Sequence, residues 1–178
     1  MSRILVVPLI VGLMFGESLM FNVAAALLFM LASITDYYDG YFARKFQAVS
    51  TMGKFMDPIA DKILVTSILV MLATLQKIDP VMVILILARD NFIGGLRSAA
   101  AADQIIIDAK PTGKWKTALQ MVAIPAVIID QRFMGVPFEK VGYWFLWISV
   151  ILSLTSGLQY FWGYLSARKA QLEKSRAN

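Results

Sequence analysis

The sequence contains no cysteine and no histidine among its 178 residues. Disulfide bonds, thiolate or imidazole metal ligands and histidine acid–base catalysis are therefore excluded. A metal ion could be held only by oxygen ligands, which favours Mg²⁺, Mn²⁺ or Ca²⁺ over zinc. Charge is also scarce, since charged residues make up 16% of the chain and hydrophobic residues 58%.

Long apolar runs fill most of the chain. Runs of about 17–25 residues bounded by charges are typical of membrane spans, and these runs are too long and too uniformly apolar to favour the alternative of a large soluble core. The first run also resembles a signal peptide, because Arg3 precedes a short apolar stretch. We expect spans near 4–15, 19–34, 61–75, 80–99, 115–130 and 141–165, a polar connection at 42–56, and a polar, frayed tail at 168–178. The predicted fold is all-α, a single membrane domain over residues 1–178 with six transmembrane helices.

The positive charges predict the orientation of these spans. With the amino terminus inside, the basic residues of segments 44–54, 89–97, 110–116 and 168–176 fall on the inner side, and Lys77, Arg132 and Lys140 fall on the outer side. Both termini are then cytoplasmic, in a multi-pass protein of the inner membrane. The net charge of +5 could suggest a nucleic-acid partner, but no basic segment is interleaved with aromatic residues, so none is expected.

Four aspartates lie in the polar segment 36–61, between two apolar runs. Asp36 and Asp39 are spaced i, i+3, whereas Asp57 and Asp61 are spaced i, i+4. Both spacings place side chains on one face of a helix. Four carboxylates so close together would repel one another, and two divalent cations would balance them. The spacing therefore predicts a two-metal site between two helices, as opposed to a set of solvated loop acids.

Such a site suits phosphoryl-type transfer, because one metal ion stabilises the leaving oxygens while the other orients the attacking oxygen. Without histidine, an aspartate must act as the base. Gly40 and Ala43 leave the face beside Asp36 and Asp39 nearly bare, which would admit a ligand or, alternatively, a closely packed helix. Arg44 could bind a phosphate or serve only as an inner-side anchor.

A second basic set lies further along the chain. Arg89 and Arg97 share a face of the predicted fourth helix, and Lys114 and Lys116 open the fifth. Asp90 could pair with one of these neighbours. Two basic clusters suggest two phosphate-bearing ligands, although the two lysines could also be simple loop charges.

These residues carry a resemblance to a known family. Asp36-x-x-Asp39-Gly40-x-x-Ala43-Arg44, followed after eight residues by Gly53-x-x-x-Asp57-x-x-x-Asp61, resembles the signature of the CDP-alcohol phosphotransferase family at every fixed position. The less specific segments Ala88-Arg89-Asp90 to Leu96-Arg97 and Gly113-Lys114-x-Lys116-Thr117 resemble the branch that uses glycerol 3-phosphate. This branch usually has Glu at the position of Asp90 and an Asn-Pro-containing segment before the position of Arg3.

The resemblance implies an integral membrane enzyme, usually a homodimer, that transfers the phosphatidyl group of CDP-diacylglycerol to sn-glycerol 3-phosphate and releases CMP. It also implies a role for each matching residue. Asp36, Asp39, Asp57 and Asp61 would bind two Mg²⁺ or Mn²⁺ ions, and Asp61 would also take the acceptor proton. Gly40, Ala43, Arg44, Ser50 and Gly53 would bind CDP-diacylglycerol, whereas Arg89, Arg97, Lys114 and Lys116 would bind the acceptor phosphate.

Two other functions fit parts of the same sequence. A sister transferase using inositol phosphate or serine would share the acidic signature, and inositol phosphate would also need a basic pocket. A divalent-cation transporter would explain acids among membrane spans. However, these acids lie at the ends of the predicted spans, and transporter sites lie near the midplane.

Overall fold

The computed structural model describes the backbone of residues 2–16, 18–45, 51–105, 112–129, 132–133 and 136–177. Side chains are described for residues 5–16, 18–35, 62–105, 115–129 and 137–173.

The described parts form an all-α fold, as predicted, with six helices and one very short β-ribbon. The helices are α1 (Ser2–Met14), α2 (Leu19–Lys45), α3 (Thr51–Thr74), α4 (Pro80–Ala102), α5 (Thr112–Ile129) and α6 (Phe138–Ala177). Strands β1 (Arg132–Phe133) and β2 (Val136–Pro137) pair antiparallel between α5 and α6, with Arg132 opposite Pro137.

The start of α4 follows directly from its sequence. The side chain of Asp79 accepts a hydrogen bond of 2.9 Å from the Val81 N–H, and Pro80 occupies the first helical position. An aspartate cap satisfies an otherwise unpaired amide, and proline at that position has no amide to satisfy. The predicted start of the fourth helix is therefore confirmed.

Three helices are longer than predicted. The polar connection expected at 42–56 is mostly helical, because α2 continues to Lys45 and α3 begins at Thr51. The tail expected to be frayed is also helical, since α6 continues to Ala177. Its alanine, lysine, glutamine, leucine and glutamate residues are good helix formers, which explains the continuation.

The core lies where α1, α2, α3, α4, α5 and α6 bring their apolar faces together. Its largest fully buried side chains include Phe29, Ile68, Ile86, Ile124 and Leu146. The helix α5 contacts α2, α3 and α6, while α4 packs on α3 and α6. One consequence is that the first turns of α5 lie beside the middle of α4, where the chemistry described below is found.

A polar contact joins the end of α4 to the second half of α6. The Tyr164 hydroxyl donates a hydrogen bond of 2.7 Å to Asp103 Oδ2, and Gln171 Nε2 donates one of 3.2 Å to the Asp103 carbonyl. These bonds hold the polar extension of α6 against α4.

The outer surface of the bundle is apolar. Leu31, Ile84, Val122, Ile151 and Leu158 are all at least half exposed, which is more apolar surface than a soluble monomer usually shows. Within the described ranges, Phe138–Glu173 is the one helical segment long and apolar enough to cross a membrane. Shorter apolar segments are Leu5–Met14, Leu19–Thr35, Lys62–Thr74 and Trp115–Ile129. The six-span topology and its orientation stay predictions.

Candidate active site

The predicted metal ligands lie on two helices. Asp36 and Asp39 belong to α2, and Asp57 and Asp61 belong to α3. Helical backbone at these positions means that each pair shares a helix face, as its spacing predicts. The side chains of all four lie outside the described residues, so their mutual geometry stays a prediction.

The residues predicted to bind CDP-diacylglycerol surround the same two helix ends. Gly40, Ala43 and Arg44 lie in the last turns of α2, and Gly53 lies in the first turn of α3. Their side-chain environments, and the whole of Ser50, lie outside the described residues. The structure thus gives the backbone conformation of the four residues on α2 and α3, and the binding role of all five stays a prediction.

Two of the predicted acceptor residues meet on one carboxylate. Asp90 Oδ1 accepts a hydrogen bond of 3.0 Å from Arg89 Nη1 and a second, close one from Lys116 Nζ. The side chain of Lys116 is only 7% exposed, and that of Arg89 is 15% exposed. These bonds confirm the prediction that Asp90 pairs with a neighbour. The pairing is expected physically, because a buried ammonium requires an anionic partner.

Arg89 is fixed further by α6. Its Nε donates a hydrogen bond of 2.9 Å to the Ser153 carbonyl, and its Nη2 donates one of 2.8 Å to the Ser156 hydroxyl. The planar guanidinium has donors pointing in several directions, so it can make these bonds and the Asp90 bond at once. Arg89 therefore connects α4 to α6 and gives Asp90 one orientation.

Arg97 lies apart from this cluster in the described structure. The guanidinium carbon of Arg97 lies 5.6 Å from the centre of the Tyr160 ring on α6, a cation–π arrangement. Lys114 lies in the first turn of α5, and its side chain is outside the described residues. The four predicted acceptor residues thus divide into a buried pair, an exposed arginine and one residue without a described side chain.

A cavity of about 540 Å³ opens beside the buried pair. Its polar lining includes Lys62, Asp90, Asn91, Lys116 and Thr117, and its apolar lining comes from α2, α3, α4 and α5. Lys62, the residue after Asp61, donates a hydrogen bond of 3.2 Å to the Asp90 carbonyl. The cavity therefore reaches from the Asp90 cluster to the residue next to the proposed base.

Gln120 lines the same cavity one turn after Lys116 and is 5% exposed. Its Nε2 has no hydrogen-bond partner in the part of the chain that the structure describes. Buried amides are nearly always hydrogen-bonded, so an unpaired one beside a cavity suits a site that binds a polar ligand.

Sequence reasoning missed Lys62, Gln120 and the serines on α6. A lysine inside an apolar run is costly in a membrane, and this cost was the available signal for Lys62. The serines carried no such signal, because nothing in the sequence shows that α6 passes beside Arg89.

Residues 1–155 match the family of CDP-alcohol phosphatidyltransferases. A relative from Rickettsia typhi is 39% identical over 161 residues, which are 90% of this chain and 90% of the relative. A relative from Bacillus subtilis is 39% identical over 144 residues, which are 79% of this chain and 72% of the relative. Both are named CDP-diacylglycerol–glycerol-3-phosphate 3-phosphatidyltransferase. This chain belongs to the CDP-alcohol phosphatidyltransferase family.

Proposed function

We propose that this enzyme transfers the phosphatidyl group of CDP-diacylglycerol to sn-glycerol 3-phosphate, giving phosphatidylglycerophosphate and CMP. The family match and the names of the relatives support this reaction. The observation that supports glycerol 3-phosphate as the acceptor is a cavity lined by Lys62, Asp90 and Lys116. The cavity offers cationic groups to a phosphate, and one of them belongs to Lys62, the residue that follows Asp61 in the sequence.

The acidic residues fit a divalent cation. The sequence has no histidine or cysteine, and helices α2 and α3 carry their aspartates in helical pairs, so the donor set is all oxygen. Asp36 and Asp57 would each bind two ions, Asp39 the first and Asp61 the second. Two bound Mg²⁺ or Mn²⁺ ions would stabilise charge on the pyrophosphate oxygens and make the acceptor hydroxyl more acidic.

The reaction itself replaces the phosphoanhydride bond of CDP-diacylglycerol with a phosphodiester bond to the acceptor. The primary hydroxyl oxygen of glycerol 3-phosphate attacks the phosphatidyl phosphorus, the pyrophosphate bond breaks, and CMP leaves. The Asp61 carboxylate would take the hydroxyl proton. Gly40 and Ala43 would leave room for the cytidine, and Arg44 and Ser50 would hold its diphosphate. Gly53 would also belong to the CDP-diacylglycerol site.

Lys116 and Arg89 would bind the acceptor phosphate, and Arg97 and Lys114 are further candidates to bind it. Asp90 uses one oxygen to orient Arg89 and Lys116. Because an ammonium has three donors, Lys116 keeps donors for a phosphate after its bond to Asp90. A cluster held in place before binding loses less entropy when the phosphate arrives.

The apolar outer surface supports a membrane location. We extend this to a multi-pass homodimer of the inner membrane, with its active site facing the cytoplasm, where both water-soluble substrate and product are found. The positive charges near the ends of α2, α4 and α6 support this orientation.

The first experiment measures CMP release by the purified protein with Mg²⁺ or Mn²⁺, CDP-diacylglycerol and one acceptor at a time. Release is expected with glycerol 3-phosphate. Release only with serine or inositol phosphate would assign the chain to a sister reaction. Metal flux into liposomes that persists in Asp61→Asn would favour a transporter.

The second experiment tests the proposed metal ligands. Asp57→Ala and Asp61→Asn should each abolish CMP release while leaving thermal unfolding nearly unchanged, because they remove charge that the ions need. Asp79→Asn is the matched control, since asparagine caps a helix as well as aspartate does and full activity is expected. Activity in both active-site variants would contradict the two-metal proposal.

A further inference from the structure

Lys62 lies in an apolar helix, and its ammonium contacts the wall of the cavity. Its Nζ reaches across from α3 to the Asp90 carbonyl on α4, at 3.2 Å, and it lines the cavity together with Lys116. A lysine that merely anchored α3 at a membrane surface would extend its ammonium outward into water. Lys62 is exposed, yet its ammonium lies against the polar wall of the cavity.

Gly94 provides the space for that ammonium. A Cβ atom added at Gly94 would lie 2.9 Å from Lys62 Nζ, closer than such atoms approach one another. A Cβ atom added at Gly95, the next residue, would have no neighbouring atom within 4 Å. A side chain at Gly94 would therefore displace the flexible end of Lys62 from its present position.

The charges around Asp90 are unequal. In the described parts of the chain, Arg89 and Lys116 form ion pairs with Asp90, whereas Lys62 forms none and bonds only to a neutral carbonyl. Lys62, Arg89 and Lys116 thus all contact Asp90, Arg89 and Lys116 through its carboxylate and Lys62 through its backbone carbonyl, and one negative charge against three positive ones leaves a local excess of about two positive charges. A phosphate monoester carries about −1.5 to −2 charge near neutral pH, so it would balance this excess.

We propose that Lys62 is a third phosphate-binding residue of the acceptor pocket, held in place by the Asp90 carbonyl and by the clearance at Gly94. This inference rests on the proposed function and deepens it. The carbonyl takes one ammonium donor, and the other two are free to bind phosphate oxygens. Its position next to Asp61 would set the distance between the bound phosphate and the hydroxyl that reacts.

The test separates the two substrates. Lys62→Met keeps the length of the side chain and removes its charge, so the KM for glycerol 3-phosphate should rise by about tenfold or more, the value of one charge-assisted hydrogen bond. The KM for CDP-diacylglycerol should stay within about twofold. Lys62→Arg should recover most of the loss, and Lys140→Met controls for the loss of one lysine at the other end of the bundle.

Gly94→Ala and Gly95→Ala form a matched pair. Both place the same methyl group on α4 with the same gain in helix propensity. Gly94→Ala should raise the KM for glycerol 3-phosphate by about threefold, because it moves the ammonium without removing it. Gly95→Ala should leave that KM unchanged.

A readout independent of turnover is acylation of Lys62, followed by mass spectrometry. Glycerol 3-phosphate should protect Lys62 in the wild-type protein and should protect it less in Gly94→Ala. Active wild-type enzyme with unchanged acceptor KM in Lys62→Met would overturn this inference alone, as would an equal rise in both KM values. Absence of CMP release from the wild type with glycerol 3-phosphate would instead contradict the proposed function.

Discussion

Arg89 and Arg97 lie about two turns apart on α4 and both face α6, yet their surroundings differ. Arg89 is nearly buried and donates hydrogen bonds to Asp90, the Ser153 carbonyl and the Ser156 hydroxyl. Arg97 is exposed and lies over the ring of Tyr160. The same residue type on one helix face thus gives a rigid connection in one place and an adaptable surface charge in the other. The difference teaches that helical spacing predicts a shared face and does not predict a shared role.

The largest expected effect comes from removing the Asp90 carboxylate, which accepts a hydrogen bond from the buried arginine, Arg89. Asp90→Ala would leave Arg89 and Lys116 adjacent without a shared anion, and we expect a loss of about 3 kcal/mol in the free energy of unfolding. Thermal or denaturant unfolding in detergent would measure it. Asp90→Glu should restore much of the loss, because it keeps the charge. Unchanged stability in Asp90→Ala would show that the two cations do not depend on Asp90.

The comparison is sharpened by making one substitution at both arginines. Arg89→Lys should lower the free energy of unfolding by about 2 kcal/mol, because an ammonium cannot replace a fork that binds three groups. Arg97→Lys should change it by less than about 0.5 kcal/mol, as is usual for an exposed site. Equal effects at the two positions would remove the distinction between them.

The smallest effect concerns the aromatic partner of Arg97. A double-mutant cycle of Arg97→Met and Tyr160→Leu should give a coupling energy of about 0.5 kcal/mol, typical of an exposed cation–π contact. Tyr160→Leu combined with Lys140→Met should be additive, since those residues lie far apart on α6. A coupling near zero in the first cycle would leave Arg97 free to bind a substrate without losing a protein contact.

The six helices could be predicted from the sequence because long hydrophobic runs and helix-capping residues indicate them. Asp79 and Pro80 fix the start of α4, and both make the contacts that their residue types predict. The helices α2, α3 and α6 are longer than the sequence predicts, because polar residues at their ends indicate connections. Good helix formers explain the extension of α6 alone. Polarity ends an apolar run, but it does not end a helix.

The candidate site divides in a similar way. The aspartates of α2 and α3 could be predicted because their spacing is local, and their side-chain geometry stays a prediction. The partners of Arg89 and Lys62 could not be predicted, because Ser153 and Gly94 approach them only through the packing of α4 on α6 and α3. Such contacts depend on helix packing, which a single sequence leaves open.

The helix α6 contains 40 residues, which correspond to about 60 Å at about 1.5 Å per residue, twice the roughly 30 Å thickness of a bilayer core. Its polar end is held to Asp103 by Tyr164 and Gln171. A carrier protein fused in helical register after this end would therefore be joined through a stiff rod. Such a chimera would give electron microscopy a rigid reference mark on a molecule otherwise too small to align.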